Sequence, residues 1–390
     1  MGRASQKGGL HKAHARLNNC YKTRPRKERT LTQKLKAPSY HVLEIRGSAY
    51  DRGFMYGEHN RALMRRLIDS HYNYYAKYLK TEKGEVLRDA SKFAGPIREF
   101  SETVFDELRG EADGAGIELD EVLAIAAFNE VFYPRLAKAC TSFAVRGGAT
   151  ADGLTYVGQN NDEGIDPWLD GECTTLTRYR QTDAPDALIY SYAGAPAMMG
   201  INSSGLAVCI NALGYDAPTL GVPMLCVVRE VMNRASVEDA VDVIGHANKA
   251  FALNFMIGSP KSIADVEANP AKTQVMRSDD ALYHANHYLC AVKGFNEGKS
   301  EEYATNSKFR CARMGSLIDE HKRELSLNLL EGFLRDHENR PNTICAHVNR
   351  AKPEGHWSRT LDGMIYVPEK REAWIAKGNP CETEFVRYTV

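Results

Sequence analysis

A chain of 390 residues, 43% hydrophobic and 26% charged, can bury one large core or two ordinary ones and has the composition of a globular protein. Its 50 basic and 50 acidic residues cancel, but eleven Lys and Arg and only one acid, Glu28, fall within residues 1–38. The rest therefore carries a net charge of −10, which excludes a nucleic-acid footprint on the body and leaves residues 1–38 as an expected disordered basic tail.

No stretch reaches the ~20 apolar residues of a membrane span. The N-terminus also lacks the apolar segment of a secretory signal, so a cytoplasmic location is expected, with organelle import by the basic N-terminus left open. Nine cysteines, an odd number without CxxC pairs, argue for reduced thiols. No metal or cofactor site is expected.

Ordered structure is expected from about Tyr40, where residues 41–46 alternate like a strand. From Ala49 to Leu136 the pattern turns helical, with apolar residues returning at three and four through Asn60–Leu79 and Ser91–Leu108. Gly114, Gly116 and Asp120 mark the turn before a further helix near Glu121–Phe132. After Cys140 the texture changes to short strands: Ser142–Arg146, Leu154–Gly158, Thr174–Arg180, Ala187–Ser191 and Leu206–Asn211. A helix at Val237–Ala247 is followed by strands at Phe255–Gly258, Ala264–Glu267 and Thr273–Met276. Helices at Ser307–His321 and Ser326–Asp336 precede a closing strand pair, Gly363–Val367 and Ala373–Ile375. Helices, then strands, then helices and strands again define an α+β fold with a sheet-on-sheet core.

Cys140 starts a β run just after a helical segment, and alone that position says little. Downstream, Gly158-Gln159-Asn160-Asn161-Asp162 ends a strand on an acid. Gly200-Ile201-Asn202-Ser203-Ser204-Gly205 is a turn into a strand, and Leu253-Asn254-Phe255 puts a neutral amide at the head of another. Each Asn alone reads as a turn-former or cap. His284 and His287 lack a zinc pattern and read as strand or turn histidines, and Trp168 and Tyr192 suit either the core or a pocket wall.

Taken together these segments, with Gly53–Glu58, His284-Ala285-Asn286-His287, Ser307–Arg310, Asn342-Thr343-Ile344-Cys345, Thr360-Leu361 and Gly378-Asn379-Pro380-Cys381, resemble the acyl-coenzyme A:6-aminopenicillanic acid acyltransferase family. These are self-processing cysteine members of the N-terminal nucleophile superfamily, related to choloylglycine hydrolase. The resemblance implies a four-layer αββα sandwich and cleavage between Ala139 and Cys140. Residues 39–139 would form a helical α chain and residues 140–390 the catalytic β chain of a heterodimer.

It further implies that Cys140 is the nucleophile, Asp162 the acid beside it, and Asn254 and Asn202 the oxyanion donors. Arg310 is the matching cation, with Lys308 and Arg313 as competitors. Ala139 departs from the glycine often found before the nucleophile.

A new N-terminal cysteine carries its own base, because an α-amine of pKa roughly 7.7–8.0 lies next to its sulfur. The implied activity is hydrolysis of a small-molecule acyl amide through an acyl-thioester. Acyl transfer to an amine, with acyl-coenzyme A as donor, is the alternative, and an uncleaved non-catalytic binding protein is a further one.

Overall fold

A computed structural model describes residues 35–132, 139–215, 219–290 and 300–390. The expected basic tail lies almost wholly outside them, as does the end of the helical stretch before Ala139.

Helix α1 (Ala49–Tyr74) starts at a capping box in which the Ser48 hydroxyl accepts from Asp51 N–H and the Asp51 side chain reaches back. It buries Tyr56, Met64, Leu67 and Ile68, each apolar side chain giving about 1.5–3 kcal/mol on leaving water. After α2 (Lys83–Ser91), the expected helical stretch over 91–108 is divided between two helices, α3 (Ala94–Phe100) and α4 (Glu102–Ala115). Ser101 divides the last two, its extended backbone and hydroxyl capping α4 through Val104 N–H. Helices α5 (Leu119–Ala126) and α6 (Phe128–Phe132) complete this part.

Helices α1 and α4 cross with their backbones in contact, and glycines permit it. A Cβ on Gly53 would lie 1.9 Å from Glu107 O, and one on Gly110 2.2 Å from Tyr50 O. Gly57 and Gly114 repeat the arrangement one turn on.

Two sheets carry the core. The first contains β1 (Val42–Ile45), β4 (Thr174–Tyr179), β5 (Ala187–Tyr192), β6 (Met199–Asn202), β7 (Ala207–Ala212), β8 (Leu253–Gly258), β9 (Ile263–Ala268) and β10 (Thr273–Ser278), in that spatial order. It is antiparallel except at its edge, where β1 runs parallel to β4. The second runs β11 (Ala281–His284), β2 (Ala139–Val145), β3 (Tyr156–Gly164), β12 (Ser358–Val367), β13 (Glu372–Lys377) and β14 (Val386–Thr389), all antiparallel.

Strands β2 and β3 face β7 and β8 across the sheet interface. Helices α7 (Met224–Val231) and α8 (Val237–His246) lie on the far side of the first sheet. Helices α9 (Glu301–Glu320) and α10 (Leu327–Leu334) cover the far side of the second. The layering is αββα, as expected. Strand β3 runs on through Gln159–Gly164 rather than stopping at Gly158, because β12 pairs with those polar residues.

Candidate active site

Cys140 stands opposite Asn161 of β3, and Ser142 opposite Gln159. Opposite residues of an antiparallel pair share a face, so these four side chains enter the space between the sheets. Their partners are there. Ser142 Oγ donates to Asn211 Oδ1 at 2.6 Å, and Ile210 N–H to Gln159 Oε1 at 2.8 Å. Asn161 Nδ2 donates to the hydroxyls of Tyr190 (3.2 Å) and Tyr192 (3.1 Å). Tyr192 in turn stacks on buried Trp168, ring centroids 4.0 Å apart.

The other face of β2 meets α9. Arg310, 1% exposed, donates to the carbonyl of Cys140 (2.5 Å), the hydroxyl of Thr141 (2.8 Å) and Asn286 Oδ1 (2.9 Å). Asn286 Oδ1 also accepts the Cys140 N–H at 2.7 Å, and its Nδ2 is held by Ala212 O at 3.0 Å. Among the three competing cations, Arg310 is the one that reaches Cys140. Lys308 is exposed and Arg313 is paired with Asp336 at 2.7 Å.

Asp162 stands opposite Ala139 and accepts the Thr360 hydroxyl on Oδ1 at 2.5 Å. Its Oδ2 is buried and has no hydrogen-bond partner among the described residues. Burial pushes this carboxyl up to about 7, against the pull of Arg310 and of the Thr360 bond, with Glu163 adding to the rise. Burial likewise pushes the Cys140 thiol up to about 12, helped by Glu163 and Asp162 and opposed by the Asp162 main-chain N–H and Arg310. In the unbroken chain the thiol is therefore protonated at neutral pH.

Asn254 lies in the same polar layer, its Nδ2 donating to Asn211 Oδ1 at 3.2 Å. Asn202 does not. Both its amide hydrogens go to Met232 O (3.0 Å) and Arg234 O (2.6 Å), and its oxygen accepts Ser204 and Leu206 N–H at 3.1 Å. Those four bonds exhaust an Asn side chain, and Asn202 sits by the Ala207 end of β7, opposite to the end that carries Asn211. It is a turn residue. Asn211 lies in the polar layer instead, and its Nδ2 is buried without an acceptor among the described residues.

The reading of His284 as a strand histidine matches its surroundings: Nε2 meets Glu267 Oε1 at 3.0 Å and Nδ1 meets Ala285 O at 2.8 Å. His287 Nδ1 meets Ser307 Oγ at 2.8 Å. Sequence reasoning singled out neither Asn211, Asn286 nor Thr360 as a site residue. The signal for the first was an amide closing an otherwise apolar strand; Asn286 and Thr360 each lay inside a segment that carries the family resemblance.

Two facing sheets between helical layers, with a buried thiol near the start of an inner strand, are the αββα arrangement that the resemblance to N-terminal nucleophile hydrolases implies. The profile of the acyl-coenzyme A:6-aminopenicillanic acid acyl-transferase family matches residues 149–382, and the chain belongs to that family. It is thus an enzyme acting on acyl amide bonds. The chain is 24% identical over 293 residues to the acyl-coenzyme A:6-aminopenicillanic-acid-acyltransferase 40 kDa form of Emericella nidulans, covering 71% of this chain and 75% of that one.

Two solved structures are also similar. A variant of the conjugated bile acid hydrolase of Clostridium perfringens is 13% identical with a TM-score of 0.46, covering 64% of this chain and 97% of that one. Penicillin V acylase of Agrobacterium tumefaciens is 14% identical with a TM-score of 0.43, covering 61% and 83%.

Proposed function

We propose that the protein is a self-processing cysteine amidohydrolase whose nucleophile is Cys140 after cleavage from Ala139. The observation that carries this reading is the grip on the main chain of Cys140. Its N–H and its carbonyl are each held by a buried side chain, Asn286 and Arg310. Both partners remain when the Ala139–Cys140 bond breaks, so the new α-amine is born in a fixed position beside its own sulfur.

The first reaction is intramolecular. The Cys140 sulfur bonds to the Ala139 carbonyl carbon, the C–N bond breaks, and the nitrogen takes the thiol proton to become the free amine. Water then cleaves the thioester, leaving the Ala139 carboxylate and the thiol. Proximity supplies the main rate advantage.

In turnover the α-amine accepts the thiol proton as sulfur attacks a substrate amide, and passes it to the departing amine. The orphaned oxygen of Asp162 suits an acceptor for the α-ammonium. Asn254, together with Asn211 in place of Asn202, offers neutral amide donors to the oxyanion.

On a denaturing gel the processed protein gives chains of 139 and 251 residues, and Cys140→Ala gives one intact band. One band for both proteins overturns the reading.

Acyl transfer is the second reading, favoured by the name of the Emericella relative. Incubation with acyl-coenzyme A and candidate amines, followed by mass spectrometry, separates the two: free acid alone means hydrolysis, an acylated amine means transfer.

A further inference from the structure

Away from Cys140, two histidines and two cysteines converge where the segment between α10 and β12 meets the turn after β13. They are His337, Cys345, His347 and Cys381, and their ligand atoms all lie within 4.8 Å of one another. Cys345 Sγ is 3.6 Å from Cys381 Sγ and 3.9 Å from His347 Nε2. His347 Nε2 is 3.2 Å from Cys381 Sγ and 3.1 Å from His337 Nε2.

Around a tetrahedral zinc ion with Zn–S near 2.3 Å and Zn–N near 2.0 Å, two sulfurs sit about 3.8 Å apart. Two nitrogens then sit about 3.3 Å apart and a mixed pair about 3.5 Å. The four edges given above fall within about 0.4 Å of those of such a tetrahedron. The two facing imidazole nitrogens fit a common cation as well.

A second layer of contacts fits as well. Asn379 Nδ2 points a donor at Cys345 Sγ from 3.6 Å while anchored on Ala346 O at 2.7 Å. Glu382 Oε1 is 3.8 Å from His347 Nδ1, on the ring nitrogen that does not face the cluster. A thiolate that accepts an amide hydrogen and a histidine backed by a carboxylate are the usual support of zinc ligands. Cys345 is buried and the other three are half-buried, which leaves an approach for the ion.

We infer that His337, Cys345, His347 and Cys381 form a Cys2His2 site for a structural divalent metal, zinc by its ligand chemistry. This replaces the expectation that the chain has no metal site. The sequence hid it because Cys381 lies 34 residues beyond His347, and no CxxC or HxxxH spacing brings the four together.

The site has a reason to be where it is. Ala346, between two of the ligands, gives its N–H to Thr360 Oγ1 at 2.9 Å, and Thr360 donates to Asp162. The neighbouring Ile344 carbonyl accepts from Asn160 at 2.9 Å. A metal clamp on this segment thus holds the residues under the acid beside Cys140, and the inference stands whether or not Cys140 is the nucleophile.

Full-length protein purified under reducing conditions and supplied with zinc is expected to retain about one zinc per chain after gel filtration. Cobalt in place of zinc is expected to give the intense visible bands of a tetrahedral ion and the near-ultraviolet absorption of thiolate ligands. Cys345→Ser combined with Cys381→Ser is expected to lose the bound metal. Cobalt spectroscopy on the unaltered protein decides the matter if that variant does not fold.

Failure to retain stoichiometric metal overturns the inference, as does metal content unchanged in the double variant. So does a cross-linked Cys345–Cys381 peptide with the intact mass two hydrogens lighter, which would assign the pair to a disulfide.

Discussion

Arg310 reaches three acceptors with one planar group: the Cys140 carbonyl, the Thr141 hydroxyl and Asn286 Oδ1. Lysine keeps the charge but cannot fork. Losing one charge-assisted bond, at about 1.5–3 kcal/mol, is expected to slow processing of Arg310→Lys roughly 10- to 100-fold. The decay of the uncut band after refolding measures it, and an unchanged rate would dissociate Arg310 from the reaction.

Asp162 gives a second test through pH. Its folded-state pKa of about 7 lies above the unfolded value of 3.8, so between those limits the folded chain binds the extra proton. Stability from this group is therefore full below about pH 4 and falls as pH rises to about 7, by at most about 4 kcal/mol. Asp162→Asn removes that contribution. Urea midpoints of Cys140→Ala and Cys140→Ala/Asp162→Asn should diverge across this window, the second protein losing less stability with rising pH. Parallel curves would mean that Asp162 is ionised throughout.

At the scale of elements, the α1–α4 crossing depends on missing side chains. Gly53→Ala would push a methyl against Glu107 O, so α1 must move off α4 along its whole contact, at a cost of about 1–3 kcal/mol or more. Gly332→Ala, at an exposed position of α10 where nothing lies within 4 Å of the added carbon, should be neutral or stabilise by up to about 1 kcal/mol. Thermal unfolding of the two variants side by side checks the contrast.

The same helices show what the sequence could and could not reveal. Apolar periodicity in Asn60–Leu79 marked α1, but the helical stretch from Ser91 concealed the break that Ser101 makes by capping. Strand β6 and helix α7 escaped notice because both are short, and α7 is almost wholly buried, which erases its polar face. Within the site, Cys140, Asp162, Asn254 and Arg310 were legible only as a family pattern. Asn202 was misplaced because a strand-end amide and a turn amide look alike until their partners are counted. Asn286 and Thr360 act through sheet register and helix docking, which no local spacing encodes.

At the scale of the whole molecule, the segment ahead of Cys140 is woven into the rest, and this bears on the outcome of the proposed cleavage. Strand β1 pairs with β4 along Val42–Ile45. Tyr40 donates to Asp362 at 2.6 Å and meets the Thr174 hydroxyl at 2.6 Å. Glu107 of α4 receives Arg229 of α7 at 2.7 and 2.8 Å and Arg52 of α1 at 2.9 Å, all three side chains buried.

Pulling the two chains apart would take from Arg229 its carboxylate partner and open the edge of the first sheet. The processed protein is therefore expected to elute from gel filtration as one species containing both chains, separating only in denaturant. Glu107→Ala leaves two buried guanidinium groups without their carboxylate, at a cost of about 3–5 kcal/mol. In that variant the chains should part at a lower urea concentration than in the unaltered protein, with the amount cleaved unchanged where the fold persists. If the fragments of the unaltered protein elute separately in buffer alone, the interwoven arrangement does not survive cleavage.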